Sequence, residues 1–240
     1  MADAQPALPR HASTVVVARP TPRGDDAEIF MVVRSAKSPF MPATLVFPGG
    51  RLDPEDGPPD HDDSWDRAAR RETAEEIGVT LQTDLVWFDT WLTPSAESRR
   101  RYLTRFYWVC IDREIGERAK ADGHETHAGR WATAREHLDR WKAEEVDLPP
   151  PTLSTLLRLA PLGLDASTAL RTLDPRGVIL PKVAAGLDAP GRIQIVMPHD
   201  PAYPDLPGEA APAPDRTHAL PTRFSRLERV WSPVSPPPCP

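Results

Sequence analysis

Arg71-Glu72-Thr73-Ala74-Glu75-Glu76-Ile77-Gly78-Val79 closes a predicted helix, about Ser64 to Ile77, that carries two unlike faces. Trp65, Ala69, Thr73 and Ile77 recur every fourth residue and form a stripe able to pack on a sheet. Beside that stripe stand Glu72, Glu75 and Glu76, which at helical spacing share roughly a third of the circumference. Three like charges so placed destabilise an isolated helix by a few tenths of a kcal/mol per pair. A bound cation reverses that sign, and carboxylate oxygens suit hard divalent ions such as Mg²⁺ or Mn²⁺. The competing reading is a solvated acidic helix face. Gly78 can end the helix in the left-handed conformation, and either Asp63 or Ser64 can cap its start.

Working outward, Phe47-Pro48-Gly49-Gly50 follows a short strand, Leu45 to Phe47, with two residues whose bare backbone can approach a metal or phosphate closely. Thr14 to Arg19 and Glu28 to Arg34 read as strands joined by a turn, and the Pro- and Asp-rich stretch from Arg51 to Asp63 reads as a loop. Downstream, Leu85 to Thr93 and Tyr102 to Ile111 are strand-like, whereas Thr133 to Glu145 and Pro150 to Leu159 are helical. Asp165 to Leu173 supplies one more helix, and Val178 to Met197 two strands around Asp188-Ala189-Pro190-Gly191. From Pro198 onward prolines are dense and apolar runs few, so this tail is expected to be irregular and to add little to the core. Strands and helices in this order predict an α/β (or α+β) sandwich with helices on both sides of a mixed sheet.

The segment from Arg71 to Val79 resembles the signature of the Nudix hydrolase family: Arg-Glu, an apolar residue, any residue, Glu-Glu, any residue, glycine and an apolar residue, here with Thr73 at the first apolar place. The upstream half departs from the pattern. Counted back from Arg71, the family's first glutamate falls on Asp63 and its glycine on Gly57, while aligning Gly49-Gly50 needs an insertion of about seven residues. The insertion is preferred, because Phe-Pro-Gly-Gly after a strand is the family's context. The first carboxylate stays open among Asp53, Glu55, Asp56 and Asp63. Arg34-Ser35-Ala36, Trp91-Leu92-Thr93-Pro94, Arg100-Arg101-Tyr102 with Thr104-Arg105-Phe106, and Pro150-Pro151-Thr152-Leu153 are similar to the coenzyme A diphosphatase branch, of peroxisomal type and its bacterial relatives.

That resemblance implies a Nudix α/β/α sandwich over about residues 13–161, after a flexible N-terminus, 1–12. A C-terminal extension, 162–203, would complete the pocket or a homodimer contact, and a Pro-rich tail, 204–240, would follow. It implies a metal-dependent pyrophosphatase in which Glu72, Glu75 and Glu76, with Gly50, hold Mg²⁺ or Mn²⁺. Arg71 would brace the loop by pairing with a carboxylate. Glu125 would serve as base or extra ligand. Arg34, Arg101 and Arg105, with Gly49 and Gly50, would meet the substrate, because guanidinium forks match phosphate oxygens. For each of these arginines an exposed structural charge is the alternative. Trp87, Trp91 and Trp108 read as packing residues rather than base stackers. His124-Glu125-Thr126-His127 does not fit the helical zinc-protease motif, whose histidines lie four apart.

The net charge of -6 argues against a general nucleic-acid binder, which needs a basic face. A small phosphorylated ligand remains compatible, coenzyme A or an acyl ester above all. Cys110 and Cys239 form no disulfide framework. With no signal-like start and no long apolar run, a cytoplasmic protein without membrane contact is expected. Another Nudix specificity, for a nucleoside diphosphate sugar or a dinucleoside polyphosphate, is one alternative. A non-catalytic nucleotide-binding module is the other, although a binder has no need of three carboxylates on one helix face.

Overall fold

The computed structural model describes residues 7–35, 43–95, 101–123, 126–187, 191–227 and 230–234. In chain order the elements are β1 (Arg10–Pro20), β2 (Ala27–Arg34), β3 (Leu45–Val46), β4 (Gly49–Arg51), α1 (Asp62–Ile77), β5 (Val86–Leu92), β6 (Tyr102–Cys110), the short α2 (Arg113–Gly116) and β7 (Thr126–Thr133). They continue with α3 (Ala134–Lys142), α4 (Pro150–Leu159), α5 (Ala166–Arg171), β8 (Lys182–Ala185), β9 (Ile193–Val196), β10 (Arg223–Leu227) and β11 (Val230–Val234).

The main sheet runs β3-β2-β1-β6-β5, with β7 on β2 and β4 on β1. It is mixed, because β1 and β6 run parallel while β1–β2 and β5–β6 are antiparallel. Val15, Val16, Val17 and Ala18 of β1 are all fully buried, as expected of a central strand covered on both faces. Alternation sorts them. Val15 and Val17 face α1 with Phe30, Val32, Trp65, Ala69 and Ile77, whereas Val16 and Ala18 face Leu138, Leu153, Leu156 and Leu170 of α3, α4 and α5. The predicted stripe on α1 is therefore its sheet-packing face.

The sheet forks at its centre. β1 and β2 pair only from Ala18 to Pro20 against Ala27 to Ile29. Toward the other end β1 takes β4 and β2 takes β3. The chain crosses the fork at Phe47-Pro48, where the Pro48 carbonyl accepts from Val15 N–H at 2.9 Å. Gly49-Gly50 thus lies inside a strand of its own, β4, rather than merely after one. The helix also starts earlier than expected, at Asp62 after His61, and ends as expected at a left-handed Gly78.

Thr126 and His127 open β7, paired with β2 along Glu28 to Arg34. One further expectation is corrected. The tail is not irregular throughout, since β10 and β11 join β9 and β8 in a four-stranded antiparallel sheet. Phe224 and Trp231 are buried in the core shared with α3, α4 and α5. Trp231 is also tied by its N–H to Asp147 (3.0 Å) and by its carbonyl to the Trp141 indole (2.7 Å). Among the described residues no helix is long and apolar enough to cross a membrane.

Candidate active site

The fork and the C-terminal half of α1 bring the box residues together. The Gly49 N–H donates to Glu76 Oε2 at 3.0 Å, and Gly50 lies so close to Glu72 that a Cβ there would stand 2.3 Å from its carboxyl carbon. At Gly49 φ is +153° and a Cβ would meet the Ser13 carbonyl oxygen at 2.3 Å. Gly49 therefore needs a bare backbone for strand pairing, and a side chain at Gly50 would force the Glu72 carboxylate to move. Glu76 is nearly buried, and Glu75 stands out in solvent.

Arg71 is the hub of this corner. Its guanidinium donates to both oxygens of Asp56 (Nε 3.1 Å, Nη2 2.7 Å), to Glu72 Oε1 at 3.0 Å, to Glu75 Oε2 at 3.1 Å and to the Arg51 carbonyl at 2.9 Å. One cation between Glu72 and Glu75 offsets their mutual repulsion, and the same fork fixes the loop before α1. Burial alone would raise the Asp56 carboxyl, but its hydrogen bonds from Arg71 and from the Asp53 backbone hold it below the usual carboxylate range. Arg71 is pushed far above its ordinary value, chiefly by Asp56 and against the opposing effect of burial. Of the four carboxylates left open by the sequence, Asp56 is thus the one locked to Arg71 by two hydrogen bonds. Asp53 approaches the same guanidinium at 3.7 Å, and Asp63 sits in the first turn of α1.

Gly49, Gly50, Arg71, Glu72, Glu75 and Glu76 line a cleft of about 850 Å³ together with Arg34, Ser35, Arg51 and Asp53. The lining also carries an apolar group, Phe47, Trp91, Phe106, Pro149, Pro150, Pro181 and Ile195, together with Thr93, Tyr102, Thr104, Thr126 and Thr152. Arg34 is therefore in the same cleft as the glutamates. Arg101 and Arg105, expected to meet substrate, are not among the lining residues of this cleft. Strand parity explains it, since Tyr102, Thr104 and Phe106 of β6 face the cleft and the odd positions turn away. Arg101 is buried, donating to the Thr93 carbonyl and pairing with Glu209. Arg105 is stacked 4.4 Å from the Trp65 ring and 3.9 Å from the Trp87 ring, and paired with Asp62 at 2.7 Å. Glu125 lies outside the described residues, as does Cys239; Cys110 is half-buried and free. The sequence left Asp56 as one of four candidate carboxylates, because several acids crowd a Pro-rich loop without periodicity to choose among them. Sequence reading missed Pro181 and Ile195, which reach the cleft from far along the chain.

Among the described residues no group of three or more His, Cys, Asp or Glu side chains is placed to hold a metal ion. The donor chemistry nevertheless fits a hard cation: the carboxylates of Glu72, Glu75 and Glu76 offer only oxygen donors in one cleft.

The NUDIX domain family matches this sequence over residues 9–150. The chain belongs to the NUDIX family. A nudix hydrolase 7 of Caenorhabditis elegans is 29% identical over 187 residues, covering 63% of this chain and 60% of the relative. The acyl-coenzyme A diphosphatase NUDT19 of Gallus gallus is 27% identical over 187 residues, covering 72% of this chain and 46% of the relative. The NUDIX chain thus spans about half the length of these curated relatives. A solved NUDIX hydrolase from Alicyclobacillus acidocaldarius superposes with a TM-score of 0.58 at 24% identity, covering 70% of this chain and 98% of that one, which shows the shared fold.

Proposed function

We propose that this NUDIX protein hydrolyses the pyrophosphate bond of a nucleoside diphosphate linked to another moiety, with coenzyme A or an acyl ester of it as substrate. The products would be 3′,5′-ADP and a phosphopantetheine. The observation that carries the reading is the meeting of Glu72, Glu75 and Glu76 with Gly49-Gly50 in one cleft. The coenzyme A part rests on the flanking sequence resemblance, on the likeness to an acyl-coenzyme A diphosphatase, and on Arg34 in the same cleft.

Glu72 and Glu76, assisted by Glu75 and by the bare backbone at Gly50, would hold Mg²⁺ or Mn²⁺. Such an ion, when bound, offsets phosphate charge and makes a bound water more acidic. The chain's own part is positioning. The Gly49 N–H fixes one Glu76 oxygen, and Arg71 fixes Glu72 through a guanidinium that Asp56 in turn anchors. A carboxylate held this way loses little freedom when the reaction begins, and misplacement by about 1 Å costs on the order of a hundredfold in rate. Arg34 would take a terminal phosphate by a charge-assisted contact.

The purified protein, assayed in Mg²⁺ and in Mn²⁺, should cleave coenzyme A with a higher kcat/KM than a nucleoside diphosphate sugar or a dinucleoside polyphosphate. Faster turnover of either would overturn the coenzyme A assignment and leave the hydrolase standing. Arg34→Ala should weaken coenzyme A more than dephospho-coenzyme A, by about 1–3 kcal/mol for one lost charged contact. Equal losses would make Arg34 structural.

A further inference from the structure

The apolar lining of the cleft is built in part from chain that the family match, residues 9–150, does not include. Ile179 pairs with Trp91 in parallel: its N–H donates to the Thr90 carbonyl at 2.8 Å, and Leu92 N–H donates to the Ile179 carbonyl at 2.9 Å. That graft onto the edge of β5 delivers Pro181 to the cleft, and β9 delivers Ile195 from the adjoining sheet. The graft is firmly fastened. Asp89, one residue before Thr90, is buried and accepts from Arg158 of α4 at 2.7 Å and from Arg216 of the C-terminal segment at 2.6 Å. Ile195 lies opposite Val183 and Phe224 in the second sheet, so its side chain is backed by core.

The chemistry of this wall selects its ligand. Pro149, Pro150 and Pro181 have no N–H to offer. The Thr93 hydroxyl is already engaged with the Tyr102 backbone, and the Trp91 indole nitrogen is buried. Phe106 is turned edge-on to Phe88, with ring centres 6.3 Å apart, and both it and Trp91 are more than nine-tenths buried. Tyr102, Thr104 and Thr152 line the same cleft, but the surface that Pro181 and Ile195 add carries neither an aromatic face nor a side-chain hydrogen-bond donor, which suits a run of methylenes rather than a base. We propose that Pro181 and Ile195, supplied by the C-terminal segment, close the apolar part of the cleft around an aliphatic chain of the substrate and set the length of chain it accepts. This rests on the reading of the site as a coenzyme A or acyl-coenzyme A hydrolase.

The test compares kcat/KM across a series of saturated acyl-coenzyme A esters and free coenzyme A for the full chain and two substitutions. Ile195→Trp should lower the ratio of long-chain ester to coenzyme A by about tenfold or more, the scale of a few methylenes gained or lost in an apolar pocket. Ile195→Ala should move the preferred length the other way and carries the test if the larger side chain prevents folding. Opposite shifts support the proposal, since general damage would not reverse sign. If coenzyme A and its esters are cleaved but the length profile is the same in all folded proteins, the proposal is overturned and the reading of the active site survives. If the unsubstituted protein cleaves no coenzyme A compound, that reading falls, and this proposal with it.

Discussion

Two parts of the cleft lining are made by different kinds of chain. The glutamates and the Gly49-Gly50 pair come from α1 and β4, close in sequence, and are specified by local chemistry: helical spacing for the glutamates and a missing side chain at Gly50. The apolar lining is assembled from β5, β6, the start of α4 and a C-terminal sheet, and its C-terminal residues, Pro181 and Ile195, have no local signature. A site whose parts are local can be damaged with the fold intact. A wall whose parts are distant is expected to be inseparable from stability.

The largest expected effect follows from that contrast. Ending the chain after Thr222 removes β10 and β11, and with them the buried Phe224 and Trp231. Thermal unfolding should shift far downward or lose cooperativity, since truncating either aromatic to alanine alone should cost about 3–5 kcal/mol. An unchanged melting curve would return the tail to the dispensable role its proline content suggests.

Next comes the glycine pair. Gly50→Ala drives a methyl into the Glu72 carboxylate and should reduce turnover by about a hundredfold through a displacement near 1 Å, with little change in melting temperature. Gly49→Ala drives it into backbone at Ser13, in a positive-φ conformation, and should show chiefly as lost stability. The same loss pattern in both would deny the distinction between site and scaffold.

Asp56→Asn weakens the anchor of Arg71 and should cost about 1.5–3 kcal/mol, as for hydrogen bonds to charged groups. Because the folded carboxyl is held below its unfolded value, its contribution is present above the ordinary carboxylate range and is lost as pH falls through the lowered folded value. Urea denaturation at stepped acidic pH should therefore give a shallower acid limb in the variant than in the parent protein; parallel limbs would contradict the linkage.

How much was legible in the sequence divides along the same line. The glutamates, the stripe beneath them, the Gly78 stop and most strands of the main sheet follow from spacing that survives in isolation. The fork at Pro48 does not, because it depends on which strand each side of the turn pairs with. Nor does the second sheet, whose strands are short and set among prolines; Phe224 and Trp231 are buried by partners such as Trp141 and Asp147 that only the fold brings near. Arg105 shows the reverse case, a residue type suited to phosphate whose strand parity points it at Trp65 and Trp87. Arg105→Ala should give the smallest effect of the set: stability lower by about 1 kcal/mol, as for a partly exposed cation–π contact, and kcat/KM within about threefold of the parent protein, a small change on the scale of transition-state contributions. A selective rise in KM for coenzyme A would restore it to the substrate site.

The central claim is that the α1 glutamates carry the reaction, and Glu76→Gln tests it most directly, because it removes charge while keeping shape and the acceptor for Gly49 N–H. With the circular dichroism spectrum and melting temperature retained, divalent-dependent release of 3′,5′-ADP from coenzyme A should fall by several orders of magnitude. A folded Glu76→Gln protein that turns over within about tenfold of the parent, the size of a modest catalytic contribution, would contradict it.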